Sequence, residues 1–93
     1  MKGSELLVAA SEAYIDRMER YGTPQAVHEK AADMWTAILD TPVTAKDVAL
    51  CMAALKIARL AEGGHHDDSA VDIAGYAAVY QEIAHQRGEG EAG

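Results

Sequence analysis

Apolar residues recur along this chain at helical spacing, and a reading of four helices accounts for nearly all of them. Leu7, Ala10, Tyr14 and Met18 form the first stripe, with Ser4 as N-cap and Gly22 as the stop. Thr23-Pro24 opens a second helix, Thr23 as cap and Pro24 at the first helical position. Val27, Ala31, Met34, Trp35, Ile38 and Leu39 give that helix the clearest amphipathic pattern in the chain, with Trp35 as a core anchor. Asp40-Thr41-Pro42 breaks it. Thr44 caps a third helix, and Asp47 sits three residues on, as in a capping box. This helix runs through Val48, Cys51, Leu55, Ala58 and Ala61, is apolar on most sides, and is the expected centre of the fold. Gly63-Gly64 ends it. Asp68 or Ser69 caps a fourth helix carrying Val71, Ala74, Ala77, Ala78 and Ile83. No segment reads convincingly as a strand.

The Gly-Gly-His-His turn is short, so the third and fourth helices should form an antiparallel hairpin. Small residues on both, such as Ala54, Ala58, Ala74 and Gly75, permit close backbone approach. Counting outward from the turn sets Arg59 level with Asp72, and Lys56 level with Gly75 and Tyr76. The expected fold is all-α: one four-helix domain over residues 1–87 with that hairpin at its centre, then a frayed Gly- and Glu-rich tail over 88–93. A chain of 93 residues buries a limited core, and alanine contributes little area per residue. A homo-oligomer completed through Ala-rich faces is therefore expected.

The net charge of −7 argues against a duplex nucleic acid partner, which needs a basic footprint. It leaves room for a small phosphorylated ligand in a local basic pocket. Cys51 is the only cysteine, which rules out an intrachain disulfide and fits a reducing compartment. It is expected as a small core residue. Glu5 and Ser11-Glu12 interrupt the apolar N-terminal stretch, so it does not read as a signal peptide. No run approaches the roughly 20 apolar residues of a membrane span. The chain reads as cytoplasmic, with no membrane partner.

The candidate chemistry concentrates between Thr44 and Tyr80. Lys56 and Arg59 are three residues apart and share a helix face, in a chain with 8 Lys and Arg in all. As a phosphate clamp, Arg59 offers a planar fork and Lys56 a mobile point charge. As structure, Arg59 pairs with Asp72 across the hairpin while Lys56 reaches for water. The two readings coexist if Asp72 orients an arginine that also meets a ligand. Asp68 and Asp72 lie one helical turn apart and suit a magnesium ion carrying a nucleotide's phosphates. The alternative is a Ser69–Asp72 capping box, with Asp67 and Asp68 favouring the helix N-terminus. His65 and His66 offer contacts to bound phosphate, or are simply solvated. Arg17 ends the first helix, where a cation suits the dipole. Tyr21-Gly22-Thr23-Pro24 forms a helix–helix turn, or a lip with Tyr21 stacking on a base. Tyr76 is a second stacking candidate. Glu29 and Asp33 belong to the solvated face of the second helix. The nucleophile elbow, the Walker loop and the Gly-rich dinucleotide fingerprint are all missing from the sequence.

Three runs stand in order: Arg17…Tyr21-Gly22-x-Pro24…Trp35, then Asp47-Val48-Ala49…Leu55-Lys56-Ile57-Ala58-Arg59-Leu60, then His66-x-Asp68-Ser69-x-Val71-Asp72-Ile73-Ala74-Gly75-Tyr76-Ala77-Ala78. Over roughly residues 14–84 this pattern is similar to a small phage-associated family of unknown function, which implies a bacteriophage origin and a place in the host cytoplasm. The stretch Asp68 to Tyr76 also resembles the second acidic element of the all-α, MazG-like nucleoside triphosphate pyrophosphohydrolases. Asp72 matches its closing aspartate, and Ser69 stands where that family has glutamate. The first acidic element is missing, with Lys56 and Arg59 in its helix instead, a departure that suits holding phosphate directly. The leading expectation is a phage-encoded binder of a nucleotide or nucleotide-like phosphorylated small molecule, a sponge for a host nucleotide signal. One alternative, implied by the resemblance, is a divergent magnesium-dependent pyrophosphohydrolase using Asp68 and Asp72, with Glu29 or Asp33. Another is a helical protein–protein interaction module whose ion pairs are structural.

Overall fold

Local capping chemistry fixes where the third helix begins. Thr44 Oγ1 accepts the Asp47 N–H at 3.1 Å, and Asp47 Oδ2 accepts the Thr44 N–H at 3.0 Å, closing the expected capping box. The structure, a computed structural model, describes residues 1–89. They form α1 (Gly3–Tyr21), α2 (Pro24–Leu39), α3 (Ala45–Gly63) and α4 (Asp67–Gln86), with no strand among the described residues. Pro24 stands at the start of α2 as expected, although the Thr23 side chain makes no cap hydrogen bond. The α2–α3 connection is held by Thr36, whose Oγ1 accepts the Val43 N–H at 2.9 Å and donates to the Val43 carbonyl at 3.3 Å.

Two expected caps are corrected. α1 starts ahead of Ser4, because Glu5 Oε1 accepts the Lys2 N–H at 2.7 Å and extends the helix back. α4 starts at Asp67 with His66 as N-cap, so Asp68 and Ser69 lie inside it. The Ser69–Asp72 capping box therefore does not form; Ser69 is buried. Of the expected frayed tail, residues 90–93 lie outside the described residues. Gly88 and Glu89 are tied down, since the Glu89 N–H bonds the Ala84 carbonyl at 3.0 Å and the Glu89 carboxylate pairs with Lys46.

The most extensive helix contact is between α3 and α4, and α1 packs on α4 while α2 packs on α3. Ala45 and Ala49 of α3 meet Val79 and Ile83 of α4 in the core cluster, with Tyr14 and Tyr80 packed against it. At the other end of the same seam, Lys56 Nζ lies 3.1 Å from Asp72 Oδ2. These contacts run in opposite chain directions, so the hairpin is antiparallel, as expected. Across it Lys56 rather than Arg59 meets Asp72, because Lys56 is on the half-buried side of α3 and Arg59 on an exposed one.

The helices lie where the sequence puts them, but their inner faces are rotated. Leu7 and Met18 are exposed, while Leu6, Ala9, Ala13 and Tyr14 are half-buried and Ala10 is buried. In α2 the buried residue is Ala32, Trp35 is half-buried, and Val27, Met34 and Ile38 are exposed. Cys51, Leu55, Ala58 and Ala61, expected inside, are exposed. Ile83 is the one large side chain fully buried among the described residues.

Ile83→Ala is expected to cost about 2–5 kcal/mol, the usual toll of truncating a fully buried isoleucine, read from urea unfolding. Thr44→Ala is expected to cost about 1 kcal/mol through the lost cap. Hydrogen bonds from Thr44 hold the Asp47 carboxyl below its usual range. Its contribution is thus present above the unfolded-state pKa and fades as pH falls through the lower folded value. NMR titration should find the Asp47 midpoint below that of an ordinary aspartate, and should find it raised in Thr44→Ala.

Candidate functional site

α1 and α2 are joined by Gly22-Thr23 and diverge from it, since their main contacts are with α4 and α3 rather than with each other. The space between them is floored by α4. Gly22 makes the divergence possible: its φ of +81° is a conformation that side-chain-bearing residues rarely adopt. The result is a cleft of about 460 Å³ at the junction of α1, α2 and α4. That volume falls within the roughly 300–1,000 Å³ of small-molecule sites.

Four of the residues singled out from the sequence line this cleft: Arg17, Tyr21, Asp72 and Tyr76. Ala10, Met18, Val27, Val71 and Val79 supply apolar wall. Arg17 is exposed and makes no ion pair among the described residues. Tyr21 is 74% exposed at the rim, an unusual amount of aromatic surface to leave in water.

Two further lining residues were not anticipated. His28 Nδ1 lies 2.8 Å from the Pro24 carbonyl, one turn back on α2. A carbonyl accepts only, so Nδ1 carries the proton and Nε2 is the nitrogen left to meet a ligand. The His28 ring stands edge-on to Tyr76, with centroids 6.4 Å apart and planes at 61°. Tyr14 reaches the cleft from α1; burial, and then the Glu82 carboxylate, push its hydroxyl above the usual tyrosine range. His28 was legible in principle, because it continues the inner face of α2 marked by Ala32 and Trp35.

The expected Arg59–Asp72 pairing is corrected. Lys56, not Arg59, meets Asp72, and both partners are largely shielded, with side-chain exposures of 19% and 29%. The facing of α3 accounts for the exchange, since Lys56 is half-buried on it and Arg59 is exposed. Arg59 is exposed on α3, away from the cleft. His65 and His66 lie at the α3–α4 turn and do not line the cleft; His65 Nε2 and Asp67 Oδ1 are 2.8 Å apart. That contact, with help from the N-terminal amine, keeps the Asp67 carboxyl below its usual range. Asp68 is exposed, and Asp72 already faces an ammonium. Among the described residues no three His, Cys, Asp or Glu side chains gather where they could hold a metal ion. Glu29 accepts from Gln25 Nε2 at 3.0 Å on the outer side of α2, and Asp33 is exposed one turn on.

Residues 5–84 match the model of DUF6378, a domain of unknown function. The chain belongs to this family. It is 44% identical over 68 residues to the Gene 55 protein of Mycobacterium phage L5, covering 72% of this chain and 44% of that protein. With the Gene 55 protein of Mycobacterium phage D29 it shares 36% identity over 76 residues, covering 82% of this chain and 50% of that one. The chain thus spans about half the length of the curated relatives it matches. The phage association expected from the three sequence runs is therefore correct. No solved structure matches the chain. No helix among the described residues is long and apolar enough to cross a membrane.

The Lys56–Asp72 pair yields a direct test. Asp72→Leu alone leaves a shielded ammonium without its partner and is expected to destabilise by about 1–3 kcal/mol. Adding Lys56→Met should recover most of that loss. Chemical denaturation of the two single variants and the double variant measures the coupling; an additive cycle would show that the pair does not interact.

Proposed function

We propose that the domain binds a nucleotide or a nucleotide-like phosphorylated small molecule in the α1–α2–α4 cleft. The observation that carries this reading is the convergence of an arginine without an ion pair among the described residues and several aromatic rings on one apolar cleft of about 460 Å³. A base needs aromatic faces and apolar wall, which Tyr21, Tyr76, Met18 and Val27 supply. A phosphate needs a fixed cation and hydrogen-bond donors. Arg17 takes that role in place of Lys56 and Arg59, and His28 lines the same cleft. Asp72, neutralised by Lys56, completes the wall without repelling an anion.

The similarity to phage proteins supports a biological version in which the domain removes a host nucleotide signal by holding it, with the domain associating with itself. The divergent pyrophosphohydrolase is the weaker reading, because its magnesium would rest on Asp68 and on an Asp72 already held by Lys56. An interaction module finds support in another observation. Ile38, Leu7, Leu39 and other large apolar side chains stay more than half exposed, and such surface suits a protein partner.

Native mass spectrometry with a mixture of nucleoside mono-, di- and triphosphates, cyclic nucleotides and magnesium tests the proposal. The expected result is an adduct whose ligand leaves intact. Arg17→Ala should weaken it about ten- to a hundredfold, the worth of a charge-assisted contact, and Tyr21→Ala about tenfold, the worth of one stacking face. Loss of a triphosphate with release of pyrophosphate would favour the hydrolase instead. Neither adduct nor turnover would sink both and leave the protein partner.

A further inference from the structure

A phosphate held in the cleft is neutralised by the residues around it, and those residues limit how much charge it can bring. Of the 8 Lys and Arg in the chain, Arg17 is the one that lines the cleft. It is exposed and makes no ion pair among the described residues. Arg20, three residues on, is engaged by Asp16, with Nε 3.2 Å from the carboxylate. On the floor, Lys56 Nζ lies 3.1 Å from Asp72 Oδ2, so the one lining carboxylate is cancelled by an ammonium that does not itself line the cleft. In its neutral form His28 adds hydrogen bonding and no charge, with Nδ1 donating to the Pro24 carbonyl. Near the wall stands a further negative group. Burial, and then the Glu82 carboxylate, raise the hydroxyl of the lining residue Tyr14. The cleft thus offers the charge of one guanidinium, within a chain whose net charge is −7.

That offer sorts phosphates by their chemistry. A phosphodiester carries a single negative charge, which one guanidinium matches with its planar fork of donors. A phosphomonoester above its second pKa of about 6 carries nearly twice as much. Di- and triphosphates carry more again. Each charge beyond the first would exchange water for apolar wall and aromatic rings with no cation to receive it. A charge so placed is unfavourable, and the acidic surface around the cleft repels it further.

We infer that the cleft selects a nucleotide whose phosphate is a diester, with Arg17 matching its single negative charge and the Lys56–Asp72 pair keeping the floor neutral. The inference rests on the reading of the cleft as a nucleotide site and adds to it the class of phosphate.

Isothermal titration calorimetry at pH 8 in EDTA tests this, EDTA keeping magnesium from masking charge. For each of adenine, guanine, cytosine and uracil, the ligands are the 3′,5′-cyclic monophosphate, the dinucleoside monophosphate, the 5′-monophosphate and the 5′-triphosphate. For whichever base binds, a diester should bind about tenfold or more tighter than the 5′-monophosphate, the scale of one unmatched charge in a partly shielded site, and the triphosphate should bind weakest. The cyclic and dinucleoside ligands separate the two sources of a diester, a ring closed on one nucleoside or a link between two. Asp72→Asn leaves Lys56 without its counter-charge and so adds a positive charge at the floor. It should narrow the preference for the diester about tenfold. Val27→Lys adds a cation on an exposed part of the α2 wall and should narrow it likewise, without disturbing the α3–α4 seam. A 5′-monophosphate or triphosphate that binds as tightly as the diesters, or a preference that neither variant moves, overturns the inference and leaves a nucleotide site standing. Binding by none of these ligands overturns the nucleotide reading, and the inference with it.

Discussion

Close approach of α3 to α4 is the constraint on which the rest of this domain hangs. Ala45 and Ala49 are small enough for Val79 and Ile83 to seat directly on the α3 backbone. With one large side chain fully buried among the described residues, stability comes from short interhelical distance rather than from bulky filling. The outer helices depend on that seam: α1 rests on the α4 side and α2 on the α3 side.

The seam also organises the charges. Lys46 sits 5.5 Å from the centroid of the Tyr80 ring while it pairs with Glu89, and Lys56 pairs with Asp72. Both lysines are thereby engaged by α4 and the residues just after it. Arg17 and Arg59 are among the cations without carboxylate partners among the described residues, one at the cleft and one exposed on α3. In an acidic chain, where most long-range fields repel anions, Arg17 makes the cleft more tolerant of a negative group than its surroundings.

Sequence periodicity located the helices well, because caps and breakers such as Thr44, Pro24 and Gly22 act locally. Faces and register were harder to read. α3 is apolar in nearly every direction, so no periodicity separates Ala49, which is buried, from Cys51, which is not. The beginning of α4 depends on His66 rather than on the better cap formers Asp68 and Ser69. Which cation of α3 meets Asp72 depended on how α3 faces α4, and there Lys56 is half-buried while Arg59 is exposed. At the cleft, Arg17, Tyr21, Asp72 and Tyr76 were legible by residue type. Their meeting was not, because it depends on how far α1 and α2 splay. His28 went unnoticed because its one polar contact is with a backbone carbonyl.

Gly22 gives the cleft an origin unlike that of a cavity carved from a core. α1 and α2 leave this residue in different directions, so the hollow between them is measured by a backbone torsion rather than by the bulk of the side chains that line it. Trimming Met18 or Val27 would deepen the walls. Reshaping the joint at Gly22 would swing an entire wall, carrying Arg17 and Tyr21 away from Tyr76 together. The width of the cleft is therefore written mainly in one dihedral angle, and the chemistry of its walls in the residues that this angle carries along.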